Sequence, residues 1–243
     1  ILPVTRDCNL RCAYCPTVKD GWPSLTPDDA LLALERFVEI CGGGDVKLFG
    51  GEPLLAKETV RAAIEEAEKN DAIHRIYLST NGVLLDDEWL AYLRDKSKLV
   101  LTLSLDGRPD DNRRLRRALP TVPDAYDRIV SLLPELGTMP RVVVTQTIAP
   151  ATAASAGANF DHLVDLGFSK FNFLPGYDIP WKPSQLEELR QGFDAIATTI
   201  EKRWSAGSRT YVRNLFTWAP GPFFNAGFVV DCDRSIHPSN VGL

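Results

Sequence analysis

The sequence predicts an α/β fold built on a parallel sheet, and three observations predict it. Strand-like runs rich in Val, Ile and Leu alternate with helix-like runs six times over residues 1–205. Right-handed crossovers force such a series into a parallel sheet with its helices outside. Each strand-like run also closes in polar, glycine or cysteine residues, the end at which parallel α/β folds gather their ligand contacts. Six β-α units fall short of the eight of a complete TIM barrel.

In chain order, residues 1–5 are apolar and β-branched and form the first strand, which runs into a loop carrying Cys8, Cys12 and Cys15. Thr26 is a helix N-cap, with Pro27 at the first helical position and Asp28 and Asp29 in the first turn. That helix extends to Cys41 and stops at Gly42-Gly43-Gly44. The second strand, 46–49, enters Gly50-Gly51-Glu52-Pro53, and a helix follows over 56–70. The third strand, 75–79, ends at Thr80-Asn81-Gly82, before a helix over 86–95 with Trp89, Leu90 and Leu93 at core spacing. Residues 99–105 are almost continuously apolar, as befits a strand buried on both faces, and end at Asp106-Gly107. Residues 108–117 read as a loop or short helix and 126–136 as one longer helix. The fifth strand is 142–148, a helix covers 160–166, and the sixth strand, 171–174, ends at Pro175-Gly176. Residues 183–204 form the last long amphipathic helix. Beyond Ala206 the chain turns aromatic and rich in Pro and Gly, and 227–238 reads as a hairpin turned at Asp233-Arg234. Two domains follow: 1–205, and a C-terminal extension, 206–243.

Composition narrows the function classes. A 44% hydrophobic, 24% charged chain of 243 residues has the makings of one large globular core. A net charge of -5 offers no footprint for nucleic acid, and the basic run Arg113, Arg114, Arg116 and Arg117 reads as a solvated helix face. No apolar run approaches the ~20 residues that span a bilayer. The chain starts in a strand without a methionine, so a short preceding segment is expected, and it ends as abruptly. Five cysteines, three of them clustered, fit a reducing cytoplasm better than a disulfide scaffold, and the isolated Cys41 reads as a packing residue.

The spacing Cys8-x3-Cys12-x2-Cys15 presents three soft thiolates from one short loop. An odd number does not pair off as disulfides, and the set suits a metal or an iron-sulfur cluster, with a zinc knuckle as the rival occupant. A 4Fe-4S cluster takes four cysteines, so three leave one iron open. With aromatic Tyr14 just before the last cysteine, the loop resembles the signature of the radical S-adenosylmethionine (radical SAM) enzymes. The resemblance implies a partial (β/α)6 TIM barrel with a short C-terminal β-hairpin extension. It also implies S-adenosylmethionine chelated to the open iron of a 4Fe-4S cluster, and its reductive cleavage to a 5'-deoxyadenosyl radical.

Further motifs carry the likeness along the strand ends. Gly50, Gly51, Glu52 and Pro53 are similar to the family's motif for the methionine amino group, and glycines there allow close backbone approach or positive φ. Ser79 and Asn81 stand where the family places groups near the ribose or methionine carboxylate, though Asn-Gly is also a common turn pair. Ser104-Leu105-Asp106-Gly107 resembles the fourth-strand motif of the subfamily of anaerobic sulfatase maturases and peptide modifiers with SPASM extensions. Arg116 lies ten positions past Asp106, the offset of an arginine that contacts the S-adenosylmethionine carboxylate in that subfamily. Gln146 is a candidate ribose ligand, and Leu174 a candidate adenine contact through its backbone.

Residues 230–240 look like the hairpin of SPASM or twitch extensions, except that Ser239 stands where a cysteine usually follows the proline. The chain as given then builds no auxiliary cluster, which raises the standing of redox-neutral chemistry such as epimerisation beside crosslinking and oxidation. Cys232 is the candidate quenching thiol, and Tyr177 and Asp178 are candidates for a radical relay or base. The resemblance implies a peptide or protein substrate and an electron donor such as flavodoxin or ferredoxin. A small-molecule substrate and a non-catalytic metal-binding scaffold stay open.

Overall fold

The computed structural model describes residues 1–19, 21–216 and 229–237. In chain order the elements are β1 (Leu2–Thr5), β2 (Leu10–Cys12), α1 (Pro27–Cys41), β3 (Gly44–Gly50), α2 (Lys57–Lys69), β4 (Ile73–Thr80) and α3 (Asp87–Arg94). There follow β5 (Leu99–Ser104), α4 (Pro109–Leu115), β6 (Arg116–Ala118), α5 (Ala125–Ser131), α6 (Leu133–Leu136), β7 (Val142–Ile148) and α7 (Ala156–Asp165). The chain closes with β8 (Lys170–Pro175), α8 (Pro183–Ser205), β9 (Tyr211–Val212), α9 (Arg213–Phe216), β10 (Val229–Val230) and β11 (Ile236–His237). The main sheet has seven strands in the order β1-β3-β4-β5-β7-β8-β9. Among the described residues no helix is long and apolar enough to cross a membrane.

The chain divides into two compact units. One holds Ile1–Asn9, Thr17–Thr102 and the β10/β11 hairpin, and the other holds Leu10–Pro16 and residues 103–216. In the first, β1, β3 and β4 run parallel, with Leu2 beside Leu48 and Leu48 beside Leu78. Leu48, Leu78, Ile64 of α2 and Leu90 of α3 are fully buried between sheet and helices. Helix α1 starts where its chemistry dictates. Thr26 accepts from the Asp29 amide, Asp29 reaches back to the Thr26 amide, and Gly42 ends the helix at a left-handed φ of 75°.

In the second unit β7, β8 and β9 are parallel, with Val144 beside Phe171 and Phe171 beside Val212. Phe160 of α7 packs edge-on against Phe171 at 4.8 Å and against Phe173 at 5.6 Å. Gly157 of α7 and Gly192 of α8 let those helices close together, since a Cβ on either would strike an alanine of the other helix.

The six expected strands are all present, and a seventh, β9, follows at Tyr211–Val212, inside the stretch assigned to the C-terminal extension. Two residues are too few for any periodic pattern to register. The expected single helix over 126–136 is two, α5 and α6, because Pro134 supplies no amide hydrogen and excludes a continuous turn. The stretch 108–117 is α4 followed by β6, which pairs antiparallel with β2, so the cysteine loop is half of a two-stranded ribbon. Cys41 is exposed rather than packed. The hairpin turns as expected, with Arg234 at φ 69°, while Ser239 lies outside the described residues.

Candidate functional site

In the first unit the segment Thr5–Asp7, which leads into Cys8, is bonded along its length to the end of β3. The Gly51 amide donates to the Thr5 carbonyl and the Glu52 amide to the Asp7 carbonyl, both at 2.8 Å. Gly50, at φ 131°, would drive an added Cβ into the Thr5 carbonyl, and one on Gly51 would meet the Arg6 and Asp7 carbonyls. The close backbone approach anticipated from the two glycines is therefore made to the protein's own chain.

Glu52 is fully buried, and its carboxylate is a junction. Oε1 accepts from the Leu54 amide at 3.1 Å and the Thr80 hydroxyl at 2.7 Å, and Oε2 from the Asn81 amide at 2.8 Å. Glu52 thus ties the end of β3 to the end of β4, with Pro53 buried beside it at the start of a single 3₁₀ turn. Asn81 directs its side chain to the cysteine loop, with Nδ2 2.7 Å from Asn9 Oδ1 and 3.8 Å from Cys8 Sγ. Ser79, two residues earlier on β4, has a buried hydroxyl with no hydrogen-bond partner.

In the second unit Asp106 is the junction. Its Oδ1 accepts from Arg116 at 2.8 Å and from the Thr147 amide at 2.9 Å, and its Oδ2 from the Tyr14 hydroxyl at 2.9 Å. The Asn112 side chain accepts from the Asp106 amide at 2.9 Å. Arg116 is itself buried opposite Cys12 in the β2/β6 ribbon. Burial opposes its charge, but Asp106 and Tyr14 outweigh that and raise the guanidinium pKa above its usual value. Burial is likewise the main reason the Tyr14 phenol is held well above its ordinary value. Arg116 and Asp106, both expected to face S-adenosylmethionine, are thus bonded to one another, and the buried Arg116 Nε lacks a partner. Gln146 is 1% exposed on β7 and its Oε1 has no partner. Ser104 is half-buried at the end of β5.

Among the remaining candidates, Leu174 stands beside Thr147 in the β7/β8 pair, next to the Asp106 junction. Leu174, 39% exposed, ends β8 with its side chain outward, and Tyr177 and Asp178 are exposed in the turn beyond. Cys232 is buried in the hairpin turn. Its neighbour Asp231 forms a buried ion pair with Arg6, whose guanidinium also stacks 3.8 Å over the Trp22 ring. Thr80, Asn9 and the Arg6–Asp231 pair escape sequence reasoning. Thr80 and Asn9 sit beside motif residues and offered a signal by adjacency, whereas Arg6 and Asp231 are 225 positions apart and offered none.

The donor set fits the groups the motifs imply. Cys8, Cys12 and Cys15 are half-buried and form no disulfide. Ser79 Oγ and Gln146 Oε1 are buried polar atoms at strand ends that lack a protein partner, as ligand contacts do before a ligand binds. Among the described residues no three His, Cys, Asp or Glu side chains gather as around a single metal ion.

Comparison with known proteins agrees with these motifs. The model of the Radical SAM superfamily matches residues 2–150, more than half of the 243. The serine-type anaerobic sulfatase-maturating enzyme of Klebsiella aerogenes is 30% identical over 209 residues, covering 80% of this chain and 49% of that one. The GTP 3',8-cyclase of Desulforamulus reducens is 34% identical over 123 residues, 48% of this chain and 37% of the cyclase. This chain therefore spans less than half the length of either relative. Among solved structures, anSMEcpe with bound AdoMet aligns at a TM-score of 0.79 and 19% identity, over 98% of this chain and 72% of that one. Streptococcus suis SuiB bound to the precursor peptide SuiA aligns at 0.71 and 18%, over 98% and 58%. At such identities the likeness is one of fold.

Proposed function

The chain belongs to the radical SAM superfamily, and on that premise we propose that it cleaves S-adenosylmethionine reductively and uses the radical to modify a residue of a peptide or protein. The family works with a 4Fe-4S cluster and S-adenosylmethionine, which together supply a 5'-deoxyadenosyl radical for hydrogen abstraction. Cys8, Cys12 and Cys15 hold the cluster in this reading. The buried, unpartnered Ser79 Oγ and Gln146 Oε1 support hydrogen bonds to the S-adenosylmethionine, and the buried, unpartnered Arg116 Nε supports one to its carboxylate. Glu52 and Asp106 act as positioning residues, one on Asn81 and the other on Tyr14. Tyr177 and Asp178, exposed in the turn after β8, stay the candidates for a base or relay, and Cys232, if it quenches a product radical, does so as a protonated thiol. The electron comes from a flavodoxin or ferredoxin.

One observation favours a peptide over a small molecule. The likeness to the sulfatase-maturating enzyme runs over 80% of this chain, whereas that to the GTP 3',8-cyclase stops at 48%. A nucleotide substrate remains the second reading because the identity within that shorter stretch is higher, 34% against 30%. The test is anaerobic incubation of the iron-loaded protein with dithionite and S-adenosylmethionine, followed by mass spectrometry. Formation of 5'-deoxyadenosine and methionine is expected, rising when serine- or cysteine-bearing peptides are added and not when GTP is. A protein that carries zinc and forms neither product overturns the proposal in favour of a scaffold.

A further inference from the structure

We propose that Asn81 is a hydrogen-bond donor to the cluster ligand Cys8 and raises the reduction potential of the cluster. The inference rests on the reading of Cys8 as a cluster ligand. The orientation of the amide follows from one unambiguous donor. The Val83 backbone N–H points at Asn81 Oδ1 from 3.0 Å, so that atom is the oxygen, and Nδ2 faces the cysteine loop. Nδ2 has two hydrogens and two acceptors in reach, Asn9 Oδ1 at 2.7 Å and Cys8 Sγ at 3.8 Å, a long bond to sulfur. A flipped Asn9 would set two amide nitrogens against each other, so Asn9 presents its oxygen and leaves the second Asn81 hydrogen to the sulfur.

The backbone of Asn81 is fixed as firmly. Its amide donates to Glu52 Oε2 at 2.8 Å, and Thr80 anchors the same carboxylate through Oε1. With 6% of its surface exposed, Asn81 is largely shielded from solvent. An N–H aimed at a ligating sulfur withdraws charge from it and favours the more negative, reduced cluster. Asn81, assigned by its motif to S-adenosylmethionine, thereby acts as a positioning and potential-setting residue.

The experiment compares the reconstituted wild-type chain with Asn81→Ser, which lacks the reach to Cys8, by redox titration followed by EPR without S-adenosylmethionine. The expected result is a lower midpoint potential in the variant at equal iron and sulfide content, and an unchanged potential overturns the proposal. Should the variant fail to fold or to load, the wild-type protein decides. Electron-nuclear double resonance of the reduced cluster, with selectively ¹⁵N-asparagine-labelled protein, is expected to show a coupled asparagine nitrogen and an exchangeable proton, and their absence sinks the assignment. A wild-type chain that takes up no four-iron cluster instead removes the underlying reading, and its iron count separates that failure from the first.

Discussion

Cys232 is 2% exposed, and burial first, then the nearby Asp231 carboxylate, raise its thiol to about 11 from 9.0. The sign of the pH effect follows from linkage. The unfolded thiol ionises near 9 and the folded one near 11, so between those values the unfolded state binds fewer protons and is favoured. This contribution to stability is intact below pH 9 and is lost as pH climbs towards 11. We expect the urea midpoint of wild type to fall more between pH 8 and pH 10 than that of Cys232→Ala, and equal slopes would refute the shift. Alkylation at pH 8 is expected to mark the exposed Cys41 first and Cys232 only on unfolding. At this scale residue type was legible and partnership was not. Asp106 and Arg116 were identified by spacing, but a spacing of ten positions says nothing of whether the two face a ligand or each other. Their 2.8 Å bond is a product of the β2/β6 ribbon, whose second strand has only three residues.

The hairpin of β10 and β11 is held to the first unit by backbone and charge. The Val230 amide donates to the Ile1 carbonyl at 3.1 Å, Arg234 pairs with Asp29 at 2.8 Å, and Asp231 pairs with Arg6 out of solvent. The exposed Arg234 contributes little, because solvent screens it. The buried pair is different: removing one partner strands an uncompensated charge, at a cost of about 3–5 kcal/mol. Asp231→Asn is expected to lose most of that in equilibrium urea unfolding. Arg6→Met combined with Asp231→Leu is expected to recover much of it, since an apolar pair leaves no charge behind. A loss under 1 kcal/mol for the single variant would mean that stacking on Trp22 suffices to hold Arg6. Elements with strong local signals were legible to within two or three residues. Helix α1 was read to both ends because Thr26, Pro27 and Gly42 each act within their own turn. The seventh strand was not, because its place is fixed by pairing with β8 rather than by its own two residues.

For the whole molecule, the alternation of strand and helix revealed the sheet, but the boundary drawn after residue 205 separates parts that the structure joins. Strand β9 pairs with β8 through Lys170–Tyr211 and Phe171–Val212, so the sheet of the second unit continues past the long helix. Val212 is 2% exposed, and Asn214 receives the Phe173 amide at 2.8 Å and returns a bond to the Phe173 carbonyl at 3.0 Å. In the first unit the described part of the tail holds Asp231, the partner of Arg6. Ending the chain at Ser205 would therefore uncover the edge of β8 and leave the Phe173 backbone without its Asn214 partner. It would also leave Arg6 unpaired beside the segment that leads into Cys8. Buried polar groups and a buried charge stripped of partners cost about 1–3 and 3–5 kcal/mol respectively, together comparable with the whole stability of an ordinary domain. We expect residues 1–205 alone to be insoluble, or to show no cooperative urea transition by circular dichroism, while the full chain unfolds cooperatively. A soluble 1–205 fragment with a sharp transition and full iron uptake would restore the extension to the status of a separate domain. In that outcome the tail would add to the fold without supporting the cysteine loop.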